Sequence, residues 1–388
     1  MASRVPLHTV MRILESPDLI IKSARHAVRK RLTSRLDYRR TDGFSKPPIQ
    51  LDFKIVNACN LRCKMCAQWG EVGYNLTRPI SEVRETVPLN VYKKLVDDVT
   101  PFNPWIYIWG GEPFLYPDLL PLITYMKSKG FVVSVVTNGT KIAEHARELV
   151  EVGLDVLLVS VDGPRDTHDN IRGYKGAFDL TTSGIRAVQT EKDRLRKVKP
   201  YVTLMSVFTR DNQDRLEEIY ELGDNLQIDG MLSWYGWYQT PESGARQTVL
   251  LQEKMNITPW SWKGWLWSAQ EINPEVVVRS VRRLKARKWS FPYVFFPDLK
   301  YEDVPVYYRD HHNTFGYHQC RAPWTMCEIM PNGDVVTCRD YPDVVTGNIK
   351  QDSILNIWNS QRSRDFRLLL KNDGLMPICS RCQGLMGL

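Results

Sequence analysis

From Ile49 onward, short apolar runs alternate along the chain with stretches whose apolar residues recur at helical spacing. The runs predict strands at 51–56 (LDFKIV), 105–109 (WIYIW), 131–136 (FVVSVV), 155–161 (DVLLVSV), 202–208 (VTLMSVF) and 228–234 (IDGMLSW). Helices are predicted between them near 90–98, 118–129, 142–152, 176–191 and 212–222. Strand and helix in regular alternation are the pattern of βα units around a parallel sheet. Six such units fit a partial (βα)6 barrel better than a complete eight-unit barrel, and in such barrels the chemistry sits at the C-terminal strand ends.

The flanking segments read differently. Residues 9–40 place Val10, Leu14, Ile21, Ala24, Val28, Leu32 and Leu36 on one helical face, with Arg25, Arg29, Lys30, Arg31 and Arg35 mostly around the other. The helix is expected to start afresh after Pro17. Residues 240–310 hold five of the twelve tryptophans and an FPYVFFP stretch, a bridging segment that is either a small tethering core or a wall of a substrate pocket. The expected organisation is a basic arm (1–48), a barrel (49–239), a Trp-rich bridge (240–312) and a small α+β C-terminal domain (313–388).

A chain of 388 residues with 43% hydrophobic and 25% charged residues has the composition of an ordinary globular protein, which excludes wholesale disorder and fibrous architectures. No apolar run reaches the roughly 18 residues of a membrane span, and no signal-peptide pattern opens the sequence, so a cytoplasmic location is expected. The net charge of +8 is concentrated at the start: residues 1–50 carry eleven Lys/Arg against four Asp/Glu. The nearly neutral remainder argues against a nucleic-acid groove, and leaves the arm to dock on the barrel, to meet an acidic partner, or to lie peripherally on an anionic membrane.

The eight cysteines fall in two groups, Cys59, Cys63 and Cys66, then Cys320, Cys327, Cys338, Cys379 and Cys382. In a reducing compartment such groups read as metal or iron–sulfur ligands rather than disulfides. The first is a C-x3-C-x2-C triplet directly after the first strand; three thiolates leave one iron of a four-iron cluster open for chemistry. Zinc, the alternative, wants four closed ligands, and no fourth Cys or His follows nearby.

With its strand-end motifs, the triplet resembles the radical SAM superfamily. That resemblance implies a 4Fe-4S cluster on Cys59, Cys63 and Cys66, which chelates S-adenosylmethionine and cleaves it reductively to a 5′-deoxyadenosyl radical. Met65 stands where the family more often has an aromatic residue and is expected against the adenine. Gly110-Gly111-Glu112-Pro113 after the second strand matches the motif that binds the SAM amino group, its glycines giving backbone access and Glu112 a carboxylate. Asn138, Ser160, Asp162 and Arg172, at or beyond the ends of the third and fourth strands, match positions lining the ribose and carboxylate; Asn138 and Asp162 read equally as strand-end turn residues.

The second group spans Cys320 to Cys338, with a hairpin expected at Pro331–Asp334, and ends in Cys379-x2-Cys382. It resembles the SPASM/Twitch extension of radical SAM enzymes. The chain stops six residues after Cys382, which favours the shorter Twitch form with one auxiliary 4Fe-4S cluster on Cys320, Cys338, Cys379 and Cys382. A closed zinc site on the same four thiolates is the alternative. Cys327 is left over: a buried hydrophobe, a catalytic hydrogen-atom donor, or a replacement for one of those four ligands.

The function expected is a radical SAM oxidoreductase acting on a small or carrier-linked substrate, sugar- or cyclitol-like, with the auxiliary cluster as electron sink and flavodoxin or ferredoxin as electron donor. Alternatives are an epimerase, a modifier of ribosomal peptides, and a non-catalytic iron–sulfur regulatory protein.

Overall fold

A computed structural model describes residues 17–267 and 269–382. Its first helix, α1 (Pro17–Tyr38), begins at the expected proline; the apolar positions before it lie outside the described residues. Six parallel strands follow in the expected places: β1 (Gln50–Lys54), β2 (Trp105–Trp109), β3 (Val133–Thr137), β4 (Val156–Ser160), β5 (Tyr201–Val207) and β6 (Gly230–Trp234). Between β1 and β2 run α2 (Ile80–Arg84) and α3 (Leu89–Val99), then α4 (Leu119–Ser128) and α5 (Ile142–Glu151) follow β2 and β3. After β4 come α6 (Arg165–Arg172) and α7 (Ala177–Leu195), and α8 (Leu216–Asn225) precedes β6.

The sheet is larger than six strands. Beyond α9 (Pro241–Met255) and α10 (Pro274–Ala286), the FPYVFFP stretch supplies β7 (Tyr293–Phe296), which pairs parallel with β6. After α11 (Asp303–Arg309), the C-terminal hairpin of β8 (Met326–Ile329) and β9 (Asp334–Val336) enters at the other edge, β8 pairing parallel with β1. β10 (Val345–Asn348), α12 (Ile354–Trp358) and α13 (Gln361–Asn372) complete the described chain, and the ten strands run β10-β9-β8-β1-β2-β3-β4-β5-β6-β7. The hairpin turns where expected, with Gly333 at φ 89° and the Met330 N–H donating to Asp334 O at 2.8 Å.

Alternation along each strand sorts its side chains. Leu51, Phe53, Ile106, Ile108, Cys327 and Ile329 join the main apolar core beneath the helices. Their neighbours Asp52, Lys54, Tyr107, Trp109 and Glu328 therefore point to the opposite face, the barrel lumen. A second apolar cluster joins Ala67 of the first Cys loop to Leu251, Trp265, Trp324 and Tyr341. The Trp-rich stretch binds that region together: the backbone N–H groups of Trp260 and Ser261 donate to the Asp343 carboxylate at 2.8 and 3.0 Å, and the Trp265 indole donates to Asp340 O.

The arm docks in the reverse sense to simple amphipathic packing. Lys22 donates to Gly130 O at 3.0 Å, Arg29 to Phe102 O at 2.6 Å, and His26 packs edge-on against Trp105. Ile21, Val28, Leu32 and Leu36 are 53–67% exposed, so the apolar stripe faces solvent. Among the described residues no helix is long and apolar enough to cross a membrane.

Candidate active site

The three N-terminal thiols sit on an irregular loop after β1, and backbone hydrogen bonds from neighbouring strand ends give that loop its shape. The Gly111 and Glu112 N–H groups donate to Val56 O and Ala58 O at 2.7 and 2.9 Å. A Cβ on Gly111 would fall 2.1 Å from Ala58 O and 2.4 Å from Asn57 O, and one on Gly110 2.5 Å from Val56 O. The paired glycines therefore let two backbones touch. On the other side the Arg62 and Lys64 N–H groups donate to Arg172 O and Ile171 O at the end of α6.

Side chains finish the clamp. The buried Glu112 carboxylate accepts from Phe114 N–H (3.2 Å), Thr137 Oγ1 (2.7 Å) and Asn138 N–H (2.8 Å), tying the ends of β2 and β3 together. Burial pushes it up to about 7 against those donors. Pro113 opens the short turn that Glu112 caps. The Asn138 amide donates to Asn60 at 2.9 Å inside the Cys loop. Asp162 forms a buried 2.5 Å ion pair with Arg172 and accepts from Val207 N–H, and Arg172 reaches Cys63 Sγ at 3.6 Å. Ser160 at the end of β4 and Met65 within the loop are half-buried. The structure thus assembles the expected residues around one loop. It shows Glu112, Asn138 and Asp162 holding the scaffold, and Arg172 placing a cation beside a thiol.

These residues fit a three-thiolate cluster. Burial pushes the Cys59 thiol up to about 12 and the Cys63 thiol to about 11, so thiolates are disfavoured without a compensating cation. Bound iron would supply that charge.

The second group also comes together. Cys320, Cys338, Cys379 and Cys382 line a single cavity, with Asp340, Tyr341 and Asp343 at its wall. Burial pushes all four thiols up, Cys379 to about 12, and Asp340 raises Cys338 and Cys382 further. Four thiols around one cavity could close a four-iron cluster. Cys327 lies apart, 1% exposed in the main core, with its recess shared by Trp358 and Arg367.

Between the two thiol groups lies a set of lumen residues that sequence reasoning passed over. Lys54 is 1% exposed, donates to Tyr74 Oη at 3.1 Å, and is pulled down to about 7 by burial and then by Arg78. Glu328 accepts from the Trp109 indole at 2.6 Å, and Arg339 lies 5.6 Å above the Tyr107 ring. The available signal was the polar Asp52 and Lys54 inside an otherwise apolar run.

Comparison with known proteins agrees with this geometry. The Radical SAM superfamily profile matches residues 53–223, and an iron–sulfur cluster-binding domain, SPASM, matches residues 320–383. The chain belongs to the radical SAM superfamily and carries a SPASM domain. It is similar to the AdoMet-dependent heme synthase of Oleidesulfovibrio alaskensis, 25% identical over 339 residues covering 85% of this chain and 79% of that one. It is also similar to the tungsten-containing aldehyde ferredoxin oxidoreductase cofactor-modifying protein of Pyrococcus furiosus, 25% identical over 357 residues and 86% of each chain. In fold it is similar to Streptococcus suis SuiB bound to the precursor peptide SuiA, with a TM-score of 0.59 at 14% identity over 87% of this chain and 68% of that one. It is a radical SAM enzyme whose cofactors are 4Fe-4S clusters and S-adenosylmethionine.

Two four-iron clusters give about eight irons per chain after anaerobic reconstitution. The Gly111→Ala variant should lose roughly half of them, because its Cβ collides with the Cys loop backbone, and the remaining iron should stay in Cys379→Ala-sensitive form. Full iron content in Gly111→Ala would contradict the clamp.

Proposed function

We propose that this radical SAM enzyme oxidises a small or carrier-linked polar substrate, sugar- or cyclitol-like, held in the barrel lumen between the two thiol groups. The observation that carries this reading is the polar lumen wall formed by Asp52, Lys54, Tyr107, Trp109 and Glu328. A wall with both charges and aromatic faces suits a ligand rich in hydroxyl groups. Trp234 and Trp237, at and beyond the end of β6, add buried indole N–H groups without a protein acceptor. Such donors are costly to bury unless a ligand satisfies them.

When bound, the clusters and S-adenosylmethionine supply the hydrogen-abstracting radical and an electron acceptor. Cys59, Cys63 and Cys66 would hold the first cluster, and Cys320, Cys338, Cys379 and Cys382 the second. Arg172 keeps positive charge against the first group, Glu112 fixes the loops, and Met65, Ser160 and Asn138 would be the contacts of bound S-adenosylmethionine. The packed barrel excludes water from reactive groups. Cys327 is read as a core residue, since its thiol faces the helices and the hydrogen-atom donation of an epimerase needs a thiol at the substrate. A flavodoxin or ferredoxin is the expected electron donor. Peptide modification is the second reading, favoured by the likeness to a fold-neighbour that binds a precursor peptide.

The arm is proposed to rest on an anionic membrane. Its apolar stripe faces outward and is flanked by the exposed Arg25, Arg35 and Arg39, while its polar face is spent on the barrel. This arrangement suits interfacial binding and leaves the enzyme peripheral.

Anaerobic turnover in deuterated water, followed by mass spectrometry, tests the reaction: the substrate should lose two hydrogen atoms, with one 5′-deoxyadenosine formed per product. Deuterium fixed at a carbon of an otherwise unchanged substrate would mean epimerisation instead. For the arm, vesicles containing phosphatidylserine should bind the protein in a salt-sensitive way. The variant Ile21→Gln/Val28→Gln/Leu32→Gln should bind at least about ten-fold more weakly, and equal binding would contradict the membrane reading.

A further inference from the structure

Asp52 on β1 and Glu328 on β8 are register partners on adjacent parallel strands, and both side chains face the lumen. They are 1% and 4% exposed. Each carboxyl has one oxygen anchored by an N–H donor: Gln50 Nε2 donates to Asp52 Oδ1 at 2.7 Å, and Trp109 Nε1 to Glu328 Oε1 at 2.6 Å. The other oxygens, Asp52 Oδ2 and Glu328 Oε2, are buried and meet no N–H or O–H donor of the protein. Both residues border the cavity that the four C-terminal thiols line.

From this placement we propose that Asp52 and Glu328 form a carboxyl couple holding a single proton, and that the couple is the acid–base site of the lumen for a hydroxyl group of the substrate. Two carboxylates side by side in a dry site repel each other, so the pair keeps one proton, carried on the free oxygen of one partner while the other stays ionised. The surroundings agree: burial pushes Asp52 up to about 6 and Glu328 well above the usual carboxylate range, with Lys54 and Arg339 acting in the opposite sense and Asp340 reinforcing the rise at Asp52. The bare oxygens then offer one donor and one acceptor to the substrate, the complement of a hydroxyl. As that hydroxyl is deprotonated, its O–H bond breaks, a carboxyl O–H bond forms, and the substrate oxygen keeps the electron pair. The couple ends with two protons and no charge.

This inference rests on the proposed reading that the lumen holds a polar substrate, and its test is independent of turnover. Difference infrared spectroscopy of the anaerobic holoenzyme at pH 7 should show a protonated-carboxyl C=O band that shifts in deuterated water. Subtracting the spectrum of the isosteric double variant Asp52→Asn/Glu328→Gln should isolate that band from other protonated carboxyls such as Glu112, and glycerol, a minimal polyol, should move it. A wild-type-minus-variant spectrum without the band overturns the couple. A band indifferent to glycerol overturns its role toward hydroxyl substrates. Absence of 5′-deoxyadenosine from the wild type would instead sink the radical reading and leave the band unaffected.

Discussion

The contact on which the rest depends is the backbone clamp between Gly111-Glu112 and the loop after β1. An irregular loop that must present three thiols has no secondary structure of its own to hold it. Its shape is borrowed from neighbours: Val56 O and Ala58 O are bonded by the second strand end, Asn60 by the third, and Arg62 and Lys64 by the end of α6. Each partner is itself fixed by a buried carboxylate, Glu112 across β2 and β3 or Asp162 across β4 and β5. The motifs at these strand ends are thus one mechanical unit.

The C-terminal region extends the sheet at its β1 edge rather than merely following it. By pairing β8 with β1, it sets Glu328 beside Asp52 and brings the four-thiol cavity against the lumen. The Trp-rich stretch then holds Asp340 and Asp343 in place from the other side. A substrate between the two thiol groups would be enclosed by polar side chains on a rigid sheet, which is the condition for positioning it without loss of selectivity.

Much of this was legible in the sequence. Strands β1–β6 are short apolar runs with helices between them, and both cysteine groups stand where strand ends and a hairpin place them. What was hidden depends on long-range pairing. β7 lies between Pro292 and Pro297 in a stretch that reads as irregular, and only its partner β6 makes it a strand. The match of β8 to β1 joins residues far apart in the chain, so the lumen position of Glu328 and the meaning of Asp52 could not be seen locally. For α1 the amphipathic period was plain, but not which face would dock. Lys22, His26 and Arg29 found carbonyl and aromatic partners on the barrel, and the apolar face was left outward.

The central claim is that two thiol groups hold two clusters of different character, one open to S-adenosylmethionine and one closed. Electron paramagnetic resonance of the reduced, anaerobically reconstituted protein tests it most directly. S-adenosylmethionine should change the signal of one cluster and leave the other as it was, and a Cys379→Ala/Cys382→Ala variant should retain only the responsive signal. A spectrum in which S-adenosylmethionine perturbs both signals, or neither, would contradict the account.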